Sequence, residues 1–288
     1  MTEKRNLLSR RDWLKLVGAA GAGALALGAP ETTFASGAGD TANAAAMLLD
    51  ATRCVGCKAC EVACKEWNDL PPENEPPTDT TAYTWTLIKQ YQEGIMQSFR
   101  KVQCLHCLHP ACVSVCTVGA LRKTEKGPVV YDAGKCIGCR YCQYGCPYGI
   151  PKFQWDVPLG LIGKCTFCAD RLTEGQIPAC AEVCPVEAIT FGTRAELLQE
   201  AHDRIQQHPG RYVDHVYGEM EGGGTSVLAL SAVPFEKLGL PVLGSEPLTQ
   251  GSVNVMNTTP VVATMALAIF SGIYWFGNNL TEGNEEAS

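Results

Sequence analysis

The longest apolar stretch of the chain lies near its C-terminus, where residues 260–277 are strongly apolar and uncharged. Tyr274 and Trp275 stand near one end of the stretch, as aromatic residues do at a membrane interface. Its length is about that needed to cross a bilayer. The pattern predicts one transmembrane helix over residues 258–279, and a buried core helix is the alternative. A solvated tail over residues 280–288 follows, which we expect on the cytoplasmic side.

In the middle of the chain, apolar and polar positions alternate over shorter distances. Residues 195–207 have the apolar period of a helix, with charged residues at their start. Residues 226–231 resemble a strand and follow a glycine-rich turn at residues 221–225. Residues 71–81 are rich in proline and acidic residues, which indicates a surface loop.

A second apolar run, residues 16–29, is rich in Gly and Ala and is too short to span a membrane. The paired Arg10 and Arg11 precede it within the stretch SRRDWLK, which resembles a twin-arginine export signal. We therefore interpret residues 1–35 as a signal peptide, and an N-terminal amphipathic helix is the alternative. This export route carries folded proteins, so cofactors can be inserted before export.

The amino-acid composition limits the classes of function that fit this chain. The 288 residues include 16 cysteines and carry a net charge of −7. An acidic chain without a cluster of Lys and Arg is not suited to nucleic acid, because binding phosphates requires clustered positive charge. We find no nucleotide-binding glycine motif and no Ser/His/Asp constellation, and therefore predict no small-molecule substrate and no catalytic residues.

The cysteines form four motifs of four. The first and third share the spacing C-x2-C-x2-C-x3-C, whereas the second and fourth have longer middle gaps of four and eleven residues. The motifs, in chain order, are Cys54, Cys57, Cys60 and Cys64; Cys104, Cys107, Cys112 and Cys116; Cys136, Cys139, Cys142 and Cys146; and Cys165, Cys168, Cys180 and Cys184. The sequences around motifs one and three match each other, as do those around motifs two and four, which indicates a duplicated unit.

This spacing suits [4Fe–4S] clusters, each of which binds four thiolates. A C-x2-C-x2-C loop supplies three, and the cysteine three residues later ligates the other cluster of a pair. Zinc sites also use C-x2-C pairs, but zinc does not explain the duplicated triple-cysteine loops. A disulfide scaffold fits cysteines spaced by two residues poorly. Sixteen thiols predict four [4Fe–4S] clusters.

Some polar residues beside the cysteines have two interpretations. His106 and His109 lie inside the second motif, where cysteines already fill the ligand positions, so we expect them to pack beside a cluster. Positive charge near a cluster stabilises its reduced form and raises its potential, but such residues can equally serve solubility. The cationic residues next to ligands are Arg53, Lys58, Lys135, Arg140 and Lys164.

The four motifs, in this order and spacing, resemble the four-cluster ferredoxin-like iron–sulfur subunits of membrane-bound respiratory oxidoreductases. Residues 54–68, ending in CKEWN, are similar to the beta subunit of respiratory formate dehydrogenase. The twin-arginine signal and the stretch from YGEMEGGGT to VPFE are most similar to the iron–sulfur subunit of periplasmic quinone-linked NiFe hydrogenase.

The resemblance implies an α+β fold, in which two duplicated ferredoxin-like halves over residues 36–192 are followed by an extension over residues 193–250. It also implies that motifs one and four pair, as do motifs two and three. The implied ligand sets are Cys54, Cys57, Cys60 and Cys184; Cys165, Cys168, Cys180 and Cys64; Cys104, Cys107, Cys112 and Cys146; and Cys136, Cys139, Cys142 and Cys116.

The family further implies a function in electron transfer and not in catalysis by this chain alone. The expected partners are a NiFe hydrogenase subunit, or alternatively a molybdopterin subunit such as formate dehydrogenase, and an integral membrane subunit of cytochrome b type that reacts with quinone. The expected location is the periplasmic face of the cytoplasmic membrane, held by the C-terminal helix.

Overall fold

A computed structural model of the protein describes residues 42–285, with only the backbone described for residue 96 and residues 275–285. The predicted signal at residues 1–35 and the last residues of the predicted tail lie outside the described residues. The chain divides into two units, with a boundary between residues 250 and 251.

The unit that ends at residue 250 combines short strands, hairpins and short helices. Its strands are β1 (Ala45–Asp50), β2 (Leu87–Glu93), β3 (Met96–Val102), β4 (Leu121–Lys123), β5 (Val129–Tyr131), β6 (Lys152–Phe153), β7 (Ile162–Gly163), β8 (Ile189–Thr193) and β9 (Val227–Leu230). Its helices are α1 (Ala59–Trp67), α2 (Ala111–Ser114), α3 (Tyr141–Gly145), α4 (Ala169–Thr173), α5 (Ala179–Glu182) and α6 (Arg194–Gln207), with 3-10 turns at Ala133–Lys135 and Glu221–Gly223. Mixed helix and strand content agrees with the α+β prediction.

Three antiparallel hairpins and one three-stranded sheet contain these strands. The hairpins pair β2 with β3, β4 with β5, and β6 with β7. In the sheet β1 is central, antiparallel to β8 and parallel to β9. Because β1 is covered on both faces, its sequence AAMLLD is nearly all apolar instead of alternating.

The two faces of the sheet have different neighbours. Ala46 and Leu48 of β1 pack with Leu197 and Ala201 of α6 on one face. The opposite face contributes Met47 and other residues to a core that also contains cysteines of the first and fourth motifs. The sheet therefore lies between helix α6 and the cysteine-rich part of the unit.

Helix α6 confirms the helix predicted over residues 195–207. It starts with a capping box, in which the amide of Glu196 donates to the Thr193 hydroxyl and the amide of Thr193 donates to the Glu196 carboxylate. The strand predicted over residues 226–231 is β9, and the turn predicted before it is the 3-10 turn.

The second unit is described through helix α7 (Gln250–Glu285), which confirms a C-terminal apolar helix but begins before the predicted start at residue 258. Pro260 lies inside the helix and not at its beginning. The hydroxyls of Thr258 and Thr259 donate to carbonyls one turn earlier, at 2.9 Å from Asn254 and 2.6 Å from Val255. Residues 250–274 are long and apolar enough to cross a membrane.

Asp50 connects the sheet to helix α6 and to the first cysteine loop. Its carboxylate is buried and accepts hydrogen bonds from Arg204 at 3.0 Å and from the Tyr212 hydroxyl at 2.9 Å. Its backbone carbonyl accepts the amide of Cys54 at 3.2 Å. One residue thus fixes the last turn of α6 and the entry to the first motif.

We expect Asp50→Ala to lower the free energy of unfolding by about 1.5–3 kcal/mol, because the buried Arg204 guanidinium loses its buried carboxylate partner and keeps only the more exposed carboxylate of Glu200. Denaturant unfolding of the cluster-loaded protein measures the loss. The control is Glu125→Ala, which removes an exposed carboxylate in the turn between β4 and β5. Equal stability of the two variants would contradict the role given to Asp50.

Candidate metal centres

The four C-x2-C loops share a backbone conformation at the residue before the second cysteine. There φ is positive in every loop, with 70° at Gly56, 49° at His106, 68° at Gly138 and 63° at Phe167. Left-handed residues in such loops help to direct successive amides into one concavity. The amides of Gly138 and Phe167 each donate to the first thiol sulfur of their own loop, at 3.4 Å. The loops therefore present N–H groups together with thiols.

His106 and Phe167 adopt this conformation although they are not glycines. A left-handed conformation costs such residues on the order of 1–3 kcal/mol, so the surroundings must hold it. Both side chains are buried, and their rings meet edge to face with centroids 4.8 Å apart. Nδ1 of His106 also accepts the amide of Val129 at 2.9 Å. His106 thus packs between the motifs, as expected, and His109 is half-buried beside Gly223.

The repeat in sequence is accompanied by a repeat in backbone conformation. Lys58 and Arg140 precede helices α1 and α3 with φ of 62° and 64°. Pro110 and Pro178 precede the four-residue helices α2 and α5, with extended ψ angles of 111° and 138°. Motifs one and three therefore enter their helices alike, and so do motifs two and four.

Helices of different motifs pack against each other. Helix α1 of the first motif contacts α5 of the fourth, and α2 of the second contacts α3 of the third. Each of these helices carries cysteines of its motif. The packing therefore brings the thiols of motif one near those of motif four, and those of motif two near those of motif three.

Two cavities are each lined by four cysteines. Three come from one motif and the fourth comes from the motif whose helix packs against it. The first cavity is lined by Cys54, Cys57, Cys60 and Cys184, by apolar residues, and by polar and charged residues. The latter include Asp50, Lys58, Arg100, Lys101 and Gln103. The second is lined by Cys64, Cys165, Cys168 and Cys180. These donor sets fit a [4Fe–4S] cluster, which requires four thiolates around one space.

Electrostatic neighbours relate the remaining eight cysteines. Burial raises the pKa of Cys107 well above its usual value, and the thiols of Cys104, Cys146 and Cys112 add to the rise. Burial likewise raises the pKa of Cys142 to about 11, and its cysteine neighbours contribute to that shift. These neighbours are Cys136, Cys116 and Cys139. Each set again combines three cysteines of one motif with one cysteine of the other.

The cysteines are free thiols, and many are held in environments that favour the protonated form. Burial raises the pKa of Cys60 and of Cys112 to about 12. Iron binds the thiolate, so loading these sites must release protons. Among residues 42–285, no three His, Cys, Asp or Glu side chains converge tightly enough to hold a single metal ion.

Three lysines reach into the cysteine-rich part of the unit without a carboxylate partner among the described residues. Lys164 donates to the carbonyls of Val129 and Cys165 at 2.6 and 2.7 Å. Lys123 donates to the carbonyl of His106 at 2.9 Å. The third, Lys101, donates to the side-chain carbonyl of Gln103.

The thiols and the lysines act on each other. Burial lowers the pKa of Lys123 to about 8, although the thiolates of Cys107 and Cys104 oppose the change. Burial also disfavours the charged form of Lys101, but the thiolates around it outweigh burial and raise its pKa. They are Cys180, Cys60, Cys165 and Cys64.

Sequence adjacency identified only Lys164 of these three lysines. Lys101 and Lys123 are not next to a ligand in the chain, and the β2–β3 and β4–β5 hairpins bring them to the sites. Lys135 is exposed and paired with Asp132, which favours the solubility interpretation. Lys58 is also exposed, but it borders the cavity of the Cys54 site. The guanidinium of Arg140 lies over the ring of Trp155, 4.7 Å from its centroid.

Comparisons with known proteins agree with this chemistry. A sequence model of the 4Fe-4S dicluster domain matches residues 95–194. A protein of Nitratidesulfovibrio vulgaris is 42% identical, over 93% of this chain and 76% of its own length. The hydrogenase-2 operon protein HybA of Escherichia coli O157:H7 is 37% identical, over 92% of this chain and 94% of its own.

A further relative is the iron–sulfur subunit of the nitrate-inducible formate dehydrogenase of Escherichia coli K12. It is 36% identical, over 84% of this chain and 88% of its own length. Identity of this size along nearly whole chains, with thiol quartets that fit [4Fe–4S] clusters, establishes the relationship. The chain belongs to the family of ferredoxin-like iron–sulfur subunits of respiratory oxidoreductases.

Proposed function

We propose that this chain conducts electrons through four [4Fe–4S] clusters, between a periplasmic catalytic subunit and a quinone-reactive subunit in the membrane. Each cluster, when bound, takes up or releases one electron at a time. The observation that carries the proposal is the gathering of free thiols into quartets, two of which surround a cavity. The chain itself holds and positions the carriers and is not the catalyst.

The proposed ligand sets are the four cross-paired quartets implied by the resemblance. The two cavities support the sets that contain Cys184 and Cys64 as the fourth ligand. The electrostatic neighbours of Cys107 and Cys142 support the sets completed by Cys146 and Cys116. Within each set, three thiols come from one motif and the fourth comes from the motif whose helix packs against it.

Contacts between quartets support a linear order of the four sites. The thiol of Cys60, in the Cys54 quartet, has the thiol of Cys180, in the Cys165 quartet, as an electrostatic neighbour. Cys165, of the same site as Cys180, has Cys104 as a neighbour, and Cys112 has Cys142. The order that follows runs from the Cys54 site through the Cys165 and Cys104 sites to the Cys136 site.

We propose a NiFe hydrogenase as the catalytic partner, since alignment with the hydrogenase-2 operon protein spans 94% of that protein. The alternative is a formate dehydrogenase or another molybdopterin oxidoreductase, which the relative aligned over 88% of its length supports. The cysteine-rich unit is compatible with either partner, because the thiol quartets do not depend on which enzyme supplies the electrons.

We further propose that helix α7 anchors the chain in the membrane beside a cytochrome b-type, quinone-reactive subunit. The span at residues 250–274 is uncharged, and most of its side chains are exposed, as a lipid- or partner-facing helix requires. We interpret residues 1–35 as an export signal, and we therefore propose that the cysteine-rich unit lies outside the cytoplasm. The proposed organisation is then a duplicated cluster domain over residues 36–192 and an extension over residues 193–250, which the repeated loop conformations support.

Replacing Cys64 by Ala tests the cross-pairing. We expect the cluster held by Cys165, Cys168 and Cys180 to be lost or altered, although Cys64 belongs to the first motif. Low-temperature electron paramagnetic resonance of the reduced protein, with iron content, measures which signal changes.

The matched variant is Cys184→Ala, for which the signal of the Cys54 site should change instead. Loss of the same signal in both variants would contradict the pairing. So would a pattern in which each substitution affects only the site of its own motif.

Removal of iron should abolish stable folding of the body, because cysteines make up part of several of its apolar cores. We expect the apoprotein to show no cooperative thermal transition, whereas the loaded protein melts cooperatively. Calorimetry before and after chelation makes the comparison, and reloading with iron and sulfide controls for irreversible damage. A cooperative transition in iron-free protein would refute the expectation.

Truncation after Gln250 tests the anchor and the route of electrons. We expect the clusters to assemble and the catalytic subunit to bind, while the complex leaves the membrane and loses quinone reduction. Reduction of a soluble dye by the same complex should persist, which controls for the catalytic subunit. Unchanged membrane attachment and quinone activity would overturn the anchor role, and loss of the bound clusters would show that α7 is needed for folding.

A further inference from the structure

Lys101 is a buried cation in strand β3, opposite Ile88 of β2. Only 8% of its surface is exposed, and its side chain borders the cavity of the Cys54 site. Its ammonium donates to the side chain of Gln103, which is itself buried and whose amide lies 3.4 Å from the sulfur of Met47. The hairpin therefore carries this charge into the interior and holds it there by a neutral amide.

A buried ammonium is costly unless opposite charge compensates it. No carboxylate in the described part of the chain forms an ion pair with Lys101. The carboxylate of Glu61, which acts on Cys60, instead accepts the amide of Ile88 at 2.6 Å. The negative charge that Lys101 faces must come from another source.

That source is two groups of thiols. Lys101 lines the cavity of the Cys54 quartet together with Cys60. Gln103, which accepts its hydrogen bond, contacts Met47, and Met47 lines the cavity of the neighbouring quartet. The electrostatic neighbours of Lys101 belong to both quartets and are Cys60, Cys165, Cys180 and Cys64. Lys101 therefore stands at the junction of two proposed cluster sites.

We propose that Lys101 is the shared counter-ion of these two clusters and raises the reduction potential of both. A [4Fe–4S] core with four thiolates is an anion, and reduction adds a further negative charge. A fixed positive charge nearby stabilises the reduced form more than the oxidised form. The low dielectric constant of a buried site strengthens this effect compared with a surface charge. The inference rests on the proposed ligand quartets.

The other two lysines have different neighbours. Lys123 is half-buried and interacts with Cys107 and Cys104 of the Cys104 site. Lys164 acts on Cys112 of that site and also donates to the backbone carbonyl of Cys165. Of the three lysines, only Lys101 borders the cavity of the Cys54 site. Removing Lys101 should therefore shift two of the four potentials and leave the other two in place. This pattern distinguishes a shared counter-ion from a residue that only stabilises the hairpin.

The test is Lys101→Met in the full-length, cluster-loaded protein, since Met has similar length and no charge. Redox titration followed by electron paramagnetic resonance measures the midpoint potential of each cluster. We expect the equilibrium constant for reduction of the Cys54 and Cys165 sites to fall about tenfold. Their midpoint potentials should therefore fall by about 59 mV, for a one-electron couple. Signals are assigned with the Cys64→Ala and Cys184→Ala variants.

Lys101→Arg keeps the charge and should keep both potentials near those of the parent protein. Lys135→Met is the matched control, because it removes an exposed lysine next to Cys136 and should leave the potentials of the Cys54 and Cys165 sites unchanged. If Lys101→Met does not bind clusters whereas Lys101→Arg does, the charge is required to hold them, which also supports the proposal.

Unchanged potentials in Lys101→Met would overturn the proposal, as would a shift confined to one cluster or a failure of both Lys101 variants to bind clusters. These outcomes are distinct from failure of the proposed function. If the parent protein contains no clusters, the proposed function is wrong irrespective of Lys101. If the two cysteine variants reveal different ligand sets, the proposed assignment of ligands to clusters is wrong irrespective of Lys101.

Discussion

Burial of negative charge is the constraint on which the cysteine-rich unit depends. Four thiolates around one metal cluster cannot be placed in a protein interior unless cations and N–H groups face them. The structure supplies both kinds of group. The residue before the second cysteine has a positive φ angle in each loop, and in two loops its amide donates to the first thiol sulfur. Buried Lys101 and half-buried Lys123 approach from the hairpins. The hairpins are thus more than connections between motifs, since β3 and β4 carry Lys101 and Lys123.

The same constraint explains why strained residues persist in the second and fourth motifs. In the first and third motifs, glycine adopts the left-handed conformation without cost. His106 and Phe167 adopt it with a penalty, but they gain burial and an edge-to-face contact between their rings. Two loops from different motifs are held together by this contact, which links the position of one quartet to that of its neighbour. Glycine at either position would remove the strain together with the contact.

The features that could be predicted from the sequence are those that depend on residues close together in the chain. Cysteine spacing indicated the loops, and the apolar period with Glu196 near its start indicated helix α6. The environment of Lys101 was not predictable in this way, because Cys180 reaches it through the packing of α1 on α5. The left-handed conformations of His106 and Phe167 had a weak signal, since both align with Gly56 and Gly138 in the C-x2-C register. The span predicted over residues 258–279 lies within the longer helix α7, whose extension to Gln250 has no apolar signal, since residues 250–259 are mostly polar.

Burial differs among the four sites in a way that matches their proposed order. The loops of the second and fourth motifs are largely enclosed, with Cys104, Cys165 and Cys180 buried. The loops of the first and third motifs instead place Val55 and Ile137 in solvent, 57% and 66% exposed. A carrier exchanges electrons with a partner most readily near the surface, so in the proposed order the sites of motifs one and three are the terminal ones. The two more enclosed sites then pass electrons between them, and Lys101, Lys123 and Lys164 offset the loss of solvent near these sites. In this proposal, the charges that compensate burial are the same charges that act on the cluster potentials.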